Sequence, residues 1–284
     1  MKLLAFGFSA AALALAQPSP PAVKNPAQNI ERGTALPDAK TILRRAAAAT
    51  GGTDAHKSIK TQKLVGKMGV TAAGISGTII SYRSQRGETY QIIEMPGAGK
   101  IEAGNNGDVE WERSTLTGPK IRRVASTPGN LLQPDPAAQA VAENYTKVET
   151  AGLDMVNGKP CYIVHIWPEN SGAMQTACYD RETFLPVRFE INAGTVKLNM
   201  FLGDYRTVGA VKLPFVTETQ AMGQTIRLQW ETITLNDPLP PEAIELPEEI
   251  EILAYRLRTE IRDVEADDKD RPTLKRRTTP QTKK

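Results

Sequence analysis

"VKLNMFLGDYRTVGAVKLPFVTETQAMGQTIRLQWETITL", residues 196–235, alternates apolar and polar side chains along two of its runs. Val196, Leu198 and Met200 oppose Lys197 and Asn199; Ile226, Leu228 and Trp230 oppose Arg227, Gln229 and Glu231. Side chains of a β-strand point to opposite faces with a period of two, so each run has one apolar face and one wet face. That is the mark of an antiparallel sheet covered on one side only.

Outward from this stretch the pattern repeats. Between Gln62 and Leu235, runs such as "GTIISYRS", "ETYQIIEM", "GDVEWERS", "NYTKVETAG", "CYIVHIW" and "LPVRFEI" are rich in valine, isoleucine, threonine and aromatic residues. Turn residues separate them at roughly the 8–12-residue spacing of an antiparallel meander. Val109 and Trp111 oppose Glu110 and Glu112, which adds a third run with one apolar face.

Three segments read as helices. Asp38 can cap the first, Ile42, Leu43, Ala46 and Ala49 give it an apolar stripe, and Gly51-Gly52 ends it. The stripe is mostly alanine, so this helix is expected to pack close against something flat, such as a sheet. "DPAAQAVAENY" (135–145) offers Asp135 as cap and Pro136 at the first helical position. The last helix, expected near 247–262, carries Ile250, Leu253, Leu257 and Ile261 on one stripe. Its early glutamates and later arginines suit the helix dipole.

The ends read differently. "MKLLAFGFSAAALALAQ" has one early positive charge at Lys2, then an apolar run, then Ala14-Leu15-Ala16, an A-x-A cleavage pattern. This is the layout of a secretory signal peptide over residues 1–16, cleaved after Ala16 to leave Gln17 as the mature N-terminus; the run is too short to span a bilayer. No cysteine stands at the cleavage point, and no later segment is apolar enough to span, so neither a lipid anchor nor a transmembrane segment is expected in the mature chain. Residues 17–36 are rich in proline and polar residues and read as a disordered linker. After Arg262 the chain turns acidic and then basic without an apolar period, which reads as a solvated, disordered tail over 263–284. The expected organisation is a single domain over 37–262 in a periplasmic or secreted protein.

A net charge of +3 is too small to point to nucleic acid. Two cysteines make no disulfide-dense scaffold, so the fold must rest on a hydrophobic core. A hairpin closed through Pro168–Ser171 would set Trp167 opposite Gly172 and Cys161 opposite Cys178. In an oxidising compartment that arrangement predicts a disulfide, worth roughly 3 kcal/mol in the chain-entropy model. A catalytic thiol would need a basic partner and a metal would need two further ligands; neither is signalled. His56 and His165 are isolated and form no HExxH or Cys/His pattern, and the chain has no G-x-S-x-G elbow, P-loop or dinucleotide fingerprint. No enzyme activity, metal or cofactor is expected.

The order of pieces resembles a known group. "ILRRAAAATGGTDAHKSIKTQKLVGKM" (42–68) resembles the helix, double glycine, Lys-Ser-Ile-Lys and first strand of LolA/LolB-like periplasmic proteins, the lipoprotein-carrier fold. "GNNGDVEWE", "VNGKPCYIVHI", "CYDRETFLPVRFE", "GDYRTVGAVKLPFV" and "ITLNDPLPPEAIELP" are similar in order and spacing to pieces of its exported bacterial relatives. The resemblance runs from Asp38 to Pro247. It implies an α+β fold: a strongly curved antiparallel sheet, an unclosed half-barrel, with a few helices covering a hydrophobic concave face. It also implies binding of acyl chains or a lipoprotein, and it supplies no catalytic residues.

The residue pattern and the resemblance meet on the apolar face. A large one-sided sheet has more apolar surface than two or three short helices cover, which leaves either a solid core or a ligand cavity. Val109, Trp111, Val196, Leu198, Met200, Ile226, Leu228 and Trp230 are the candidate lining. Two readings follow. One is an exported binding or carrier protein for a lipid, lipoprotein or other apolar ligand. The other is a non-catalytic cell-envelope module with a packed interior that binds a protein partner.

Overall fold

The computed structural model describes residues 36–97, 99–122, 145–169, 174–193 and 196–269. The expected signal peptide, the linker up to residue 35, the helix over 135–144, the turn residues 170–172 and the tail beyond residue 269 lie outside them.

Among the described residues, thirteen strands form one antiparallel sheet. In chain order they are β1 (Thr61–Val70), β2 (Ile75–Ser84), β3 (Thr89–Met95), β4 (Gly99–Asn105), β5 (Glu110–Ser114), β6 (Gly118–Arg122) and β7 (Tyr145–Val156). They continue with β8 (Lys159–Pro168), β9 (Gln175–Asp180), β10 (Pro186–Ala193), β11 (Val196–Val208), β12 (Val211–Ala221) and β13 (Gln224–Leu235). Across the sheet the order is β6-β5-β4-β3-β2-β1-β13-β12-β11-β10-β9-β8-β7. Two meanders, β1–β6 and β7–β13, therefore meet where β1 pairs with β13. The edges β6 and β7 do not pair with each other, so the sheet is an open half-barrel. With its few helices this is the α+β architecture that both the residue pattern and the resemblance lead to.

Local chemistry sets the hairpins. Asn157-Gly158 between β7 and β8, and Met222-Gly223 between β12 and β13, take positive φ at both residues. That backbone matches the right-handed twist of the flanking strands. One irregularity decides the inner face. The β1–β13 register slips between Val65 and Gly66, which leaves Glu231 as an extra residue on β13. A single insertion reverses the side to which the following residues point. Leu228 and Trp230 before the bulge and Ile233 after it are consequently all buried in one cluster.

Helix α1 (Ala39–Ala49) begins as expected, with the Asp38 carboxylate accepting the Thr41 N–H at 3.2 Å. It lays Ala39, Ile42, Leu43 and Ala46 on the inner residues of β8 to β11. A short helix that the sequence pattern did not signal, α2 (Thr53–Lys57), follows it and holds Ala55 against the central cluster. Helix α3 (Glu248–Lys269) covers the other end of the sheet, against β6 and its neighbours. It runs to Lys269, past the boundary near Arg262 read from the sequence, so residues 263–269 are helical. Its stripe also differs from expectation. Ile250 and Ala254 are buried and Leu253 is half-buried, but Leu257 is exposed; the Ile261 side chain is outside the described set. Length accounts for this: a 22-residue helix is about 33 Å long and the five-residue β6 on which it packs only about 17 Å, so that strand cannot underlie the whole helix.

Candidate ligand-binding face

Of the eight side chains singled out in the sequence, Val109, Trp111, Met200, Leu228 and Trp230 are buried. Leu198 and Ile226 are half-buried, and the side chain of Val196 lies outside the described set. The fold does not bring these residues into one patch. Val109 and Trp111 pack under α3 with Tyr90, Ile250 and Ala254. Leu228 and Trp230 belong to the central cluster with Leu64, Ile79 and Phe215. Met200 lies under α1 with Phe189 and Leu202. Strand β12 separates the last two groups: Met200 pairs with Thr219, and Thr217 pairs with Leu228. Both threonines are buried, so a strip of hydroxyls interrupts the apolar face between the α1 end and the centre.

The α3 end carries a charge the sequence did not reveal. Glu102 on β4 is 7% exposed, although Ile101 and Ala103 beside it suggest an outward glutamate. Its carboxylate accepts the Tyr90 hydroxyl at 2.8 Å. Arg113 on β5 donates to it from Nε at 2.9 Å and from Nη2 at 2.5 Å, and Lys100 approaches to 3.1 Å. The remaining Arg113 nitrogen, Nη1, reaches Glu249 in the first turn of α3 at 2.8 Å. One guanidinium thus ties the sheet to the helix. Burial works to raise the Glu102 pKa, but the hydrogen bonds from Tyr90, Arg113 and Lys100 outweigh it and hold the carboxyl below its ordinary value. Burial, then the bond to Glu102, push the Tyr90 phenol well up. A cleft of about 240 Å³ opens beside this cluster, lined by Lys100, Glu102, Arg113, Thr115, Pro119 and Glu249. The signal that could have found Glu102 is Gly104, two residues on. A Cβ there would stand 2.7 Å from the Trp111 indole, so Gly104 and Glu102 share the inward face with that ring.

At the α1 end the cluster is aromatic. Tyr162 stacks on Phe184 with centroids 5.8 Å apart, and Arg45 of α1 sits 4.5 Å from the Phe184 ring centroid. Tyr179 and Phe189 are buried below the helix. The helix is tied down at both ends by polar contacts. Thr150 of β7 donates to the Pro37 carbonyl at 2.7 Å, and the Lys212 N–H donates to the Thr50 carbonyl at 2.9 Å.

The expected disulfide is not present. Cys161 pairs with Asp180, and Cys178 pairs with Ile163, so the strands sit two residues away from the predicted register. The cysteines keep the same face, as a two-residue shift requires, but they are diagonal neighbours, and both thiols are free and buried. The register is fixed at the far end of the hairpin. The Arg181 N–H donates to the Pro160 carbonyl at 3.0 Å, and the Asp180 carboxylate accepts the N–H groups of Glu182 and Thr183. It also places Tyr179 opposite Tyr162 and Ala177 opposite Val164, all on the α1 side. The thiols lie on the outer face with Val156. A hydrogen bond from Cys178 lowers the pKa of Cys161 against the effect of burial, while that bond and burial raise Cys178. Above them Arg188 reaches across to Asp154 at 2.7 Å. Thiol titration of unreduced protein is therefore expected to find two sulfhydryls after denaturation and essentially none while folded. A denatured sample with no titratable thiol would contradict the free pair.

The histidines have structural surroundings. His56 Nε2 lies 3.1 Å from the Thr50 hydroxyl at the end of α1. His165 is half-buried, with Nδ1 3.6 Å from Glu149 and its ring edge-on to Trp167. Among the described residues there is no group of three His, Cys, Asp or Glu side chains placed to hold a metal, and no helix is long and apolar enough to cross a membrane.

The architecture is thus that of an open antiparallel half-barrel with helices on its apolar side. No protein-family model matches the chain. No curated protein matches it either. Solved structures do. A DUF1329 family protein from Desulfovibrio piger is 14% identical, with 73% of this chain and 97% of that one covered at a TM-score of 0.48. A LolA superfamily protein from Nitrosomonas europaea is 10% identical, with coverages of 74% and 98% and a TM-score of 0.47. An outer membrane lipoprotein-sorting protein domain from Vibrio parahaemolyticus is 11% identical, with coverages of 72% and 95% and a TM-score of 0.46. Likeness at this level assigns no ligand, so the functional reading rests on the chain's own residues.

Proposed function

We propose that the chain is an exported periplasmic protein that binds or carries an apolar ligand, an acyl chain or a lipoprotein. One observation carries this reading. The inner face carries apolar clusters at the β8–β11 end, the centre and the α3 end, and among the described residues α1 and α3 cover the two ends. Over the centre, the described helical cover is the five-residue α2. A face of this width, served by so little helix, suits an apolar guest. Met68 and Met200 add side chains that adapt to irregular hydrocarbon. The signal-peptide pattern ending at Ala16 supports export.

Titration of a fatty-acid series against tryptophan fluorescence tests the reading. Affinity is expected to rise with chain length by about 0.8 kcal/mol per methylene buried until the site is full, with little dependence on salt. A well-folded protein that gives no saturable response at any chain length would sink it. The second reading, a packed module for a protein partner, is favoured by the tight burial of Trp111, Met200, Leu228 and Trp230, each 2–4% exposed. That reading predicts purified protein free of extractable lipid.

A further inference from the structure

The cluster beneath α1 contains one polar atom at odds with its surroundings. Tyr179 is 0% exposed, and among the described residues its hydroxyl has no hydrogen-bond partner. A nearby tyrosine shows the ordinary solution: the Tyr205 hydroxyl donates to the Pro186 carbonyl at 2.7 Å. Leaving a buried hydroxyl unpaired forfeits its hydration with no return, and phenylalanine would fill nearly the same volume without that cost. Burial also pushes the Tyr179 phenol up, so the group remains a hydrogen-bond donor throughout the physiological pH range.

The surroundings define what such a donor can meet. Val164, Phe189, Met200 and Leu202 form an apolar floor, and α1 closes it with only two large buried side chains, Ile42 and Leu43, beside Ala39 and Ala46. An isolated ion is excluded from such a place by its desolvation cost, whereas a neutral acceptor delivered on a hydrocarbon chain is not. We infer that Tyr179 is the polar anchor of the ligand site: its hydroxyl donates a hydrogen bond to the carbonyl oxygen of an acyl ester or amide whose hydrocarbon lies between α1 and strands β8–β11. The inference rests on the apolar-ligand reading and narrows it from any hydrocarbon to one that carries a buried acceptor.

The test compares the full-length protein with Tyr179→Phe, using methyl laurate and n-pentadecane as probes of similar length, each delivered from cyclodextrin. The ratio of ester to alkane affinity is expected to be about tenfold higher in the unsubstituted protein than in the variant, the net worth of one buried hydrogen bond. The variant should lose ester affinity while its alkane affinity stays the same. Without ligand, the variant should melt at the same temperature or higher, because it no longer buries an unpaired hydroxyl. An equal ester preference in both proteins would overturn the anchor and leave the apolar-ligand reading intact. A ligand-free variant that melts lower would also overturn it, since the hydroxyl would then have an internal partner. Binding of neither probe to the unsubstituted protein would overturn both.

Discussion

Replacing Trp230 by alanine is expected to lower the unfolding free energy by about 3–5 kcal/mol, the range for deleting a large buried aromatic side chain. Trp230 is 4% exposed and sits in the central cluster with Leu64, Leu228 and Ile233, just ahead of the bulge at Glu231. Its backbone also stands opposite Gly66, where a Cβ would run into the Gln229 carbonyl, so the cluster has little room to collapse into the space left behind. Chemical denaturation would read the loss as a lower midpoint at an unchanged slope. The same variant bears on function. If the centre of the face receives hydrocarbon, a long-chain fatty acid at a hundred times its dissociation constant should restore about 2.7 kcal/mol. A destabilisation below about 1 kcal/mol would mean that the indole is not an integral part of the core.

Arg113→Ala is the second large effect, with an expected cost of about 2 kcal/mol. Breaking a buried ion pair by removing one partner typically costs about 3–5 kcal/mol; the lower figure allows for screening of Arg113, whose side chain is 36% exposed. The loss comes from Glu102, left buried with only Tyr90 and Lys100, and from Glu249, which loses its tie to the sheet. The effect has a definite pH signature. In the unsubstituted protein the folded pKa of Glu102 lies below its unfolded value. That group therefore adds stability above the unfolded value, about 4.3, and the contribution is lost as pH falls through the folded pKa. Without Arg113, its hydrogen bond and its charge no longer lower the Glu102 pKa, and the folded pKa rises. The difference in melting temperature between the two proteins should then narrow between pH 7 and pH 4. Combining Arg113→Ala with Glu102→Gln should recover most of the loss at pH 7, because no carboxylate is left buried. A gap that stays constant with pH, together with no recovery in the double variant, would show that Glu102 does not carry the effect.

The sequence by itself determined whatever depends on local periodicity and local caps. Alternation in 196–200 and 226–230 assigned strands and placed Met200, Leu228 and Trp230 among the buried residues, because side-chain direction in a strand is a property of neighbouring residues. Asp38 and the double glycine bounded α1 for the same reason. The open antiparallel sheet followed from many one-sided strands at hairpin spacing. Tertiary structure alone decided the registers, and with them the site. The two-residue offset that parts Cys161 from Cys178 is held by the bond from the Arg181 N–H to the Pro160 carbonyl at the far end of the hairpin, and it leaves the periodic pattern unchanged. The bulge at Glu231 aligns Trp230 with Ile233 only through pairing with a strand more than 150 residues earlier in the chain. The threonine strip on β12 divides the apolar face only once Met200 and Leu228 are paired on either side of it. Glu102 among Tyr90, Arg113 and Glu249, and the Tyr179 hydroxyl without a partner among the described residues beneath α1, are likewise consequences of packing. Hydrogen-bond satisfaction is settled by groups brought together from distant parts of the chain, and no local pattern encodes it.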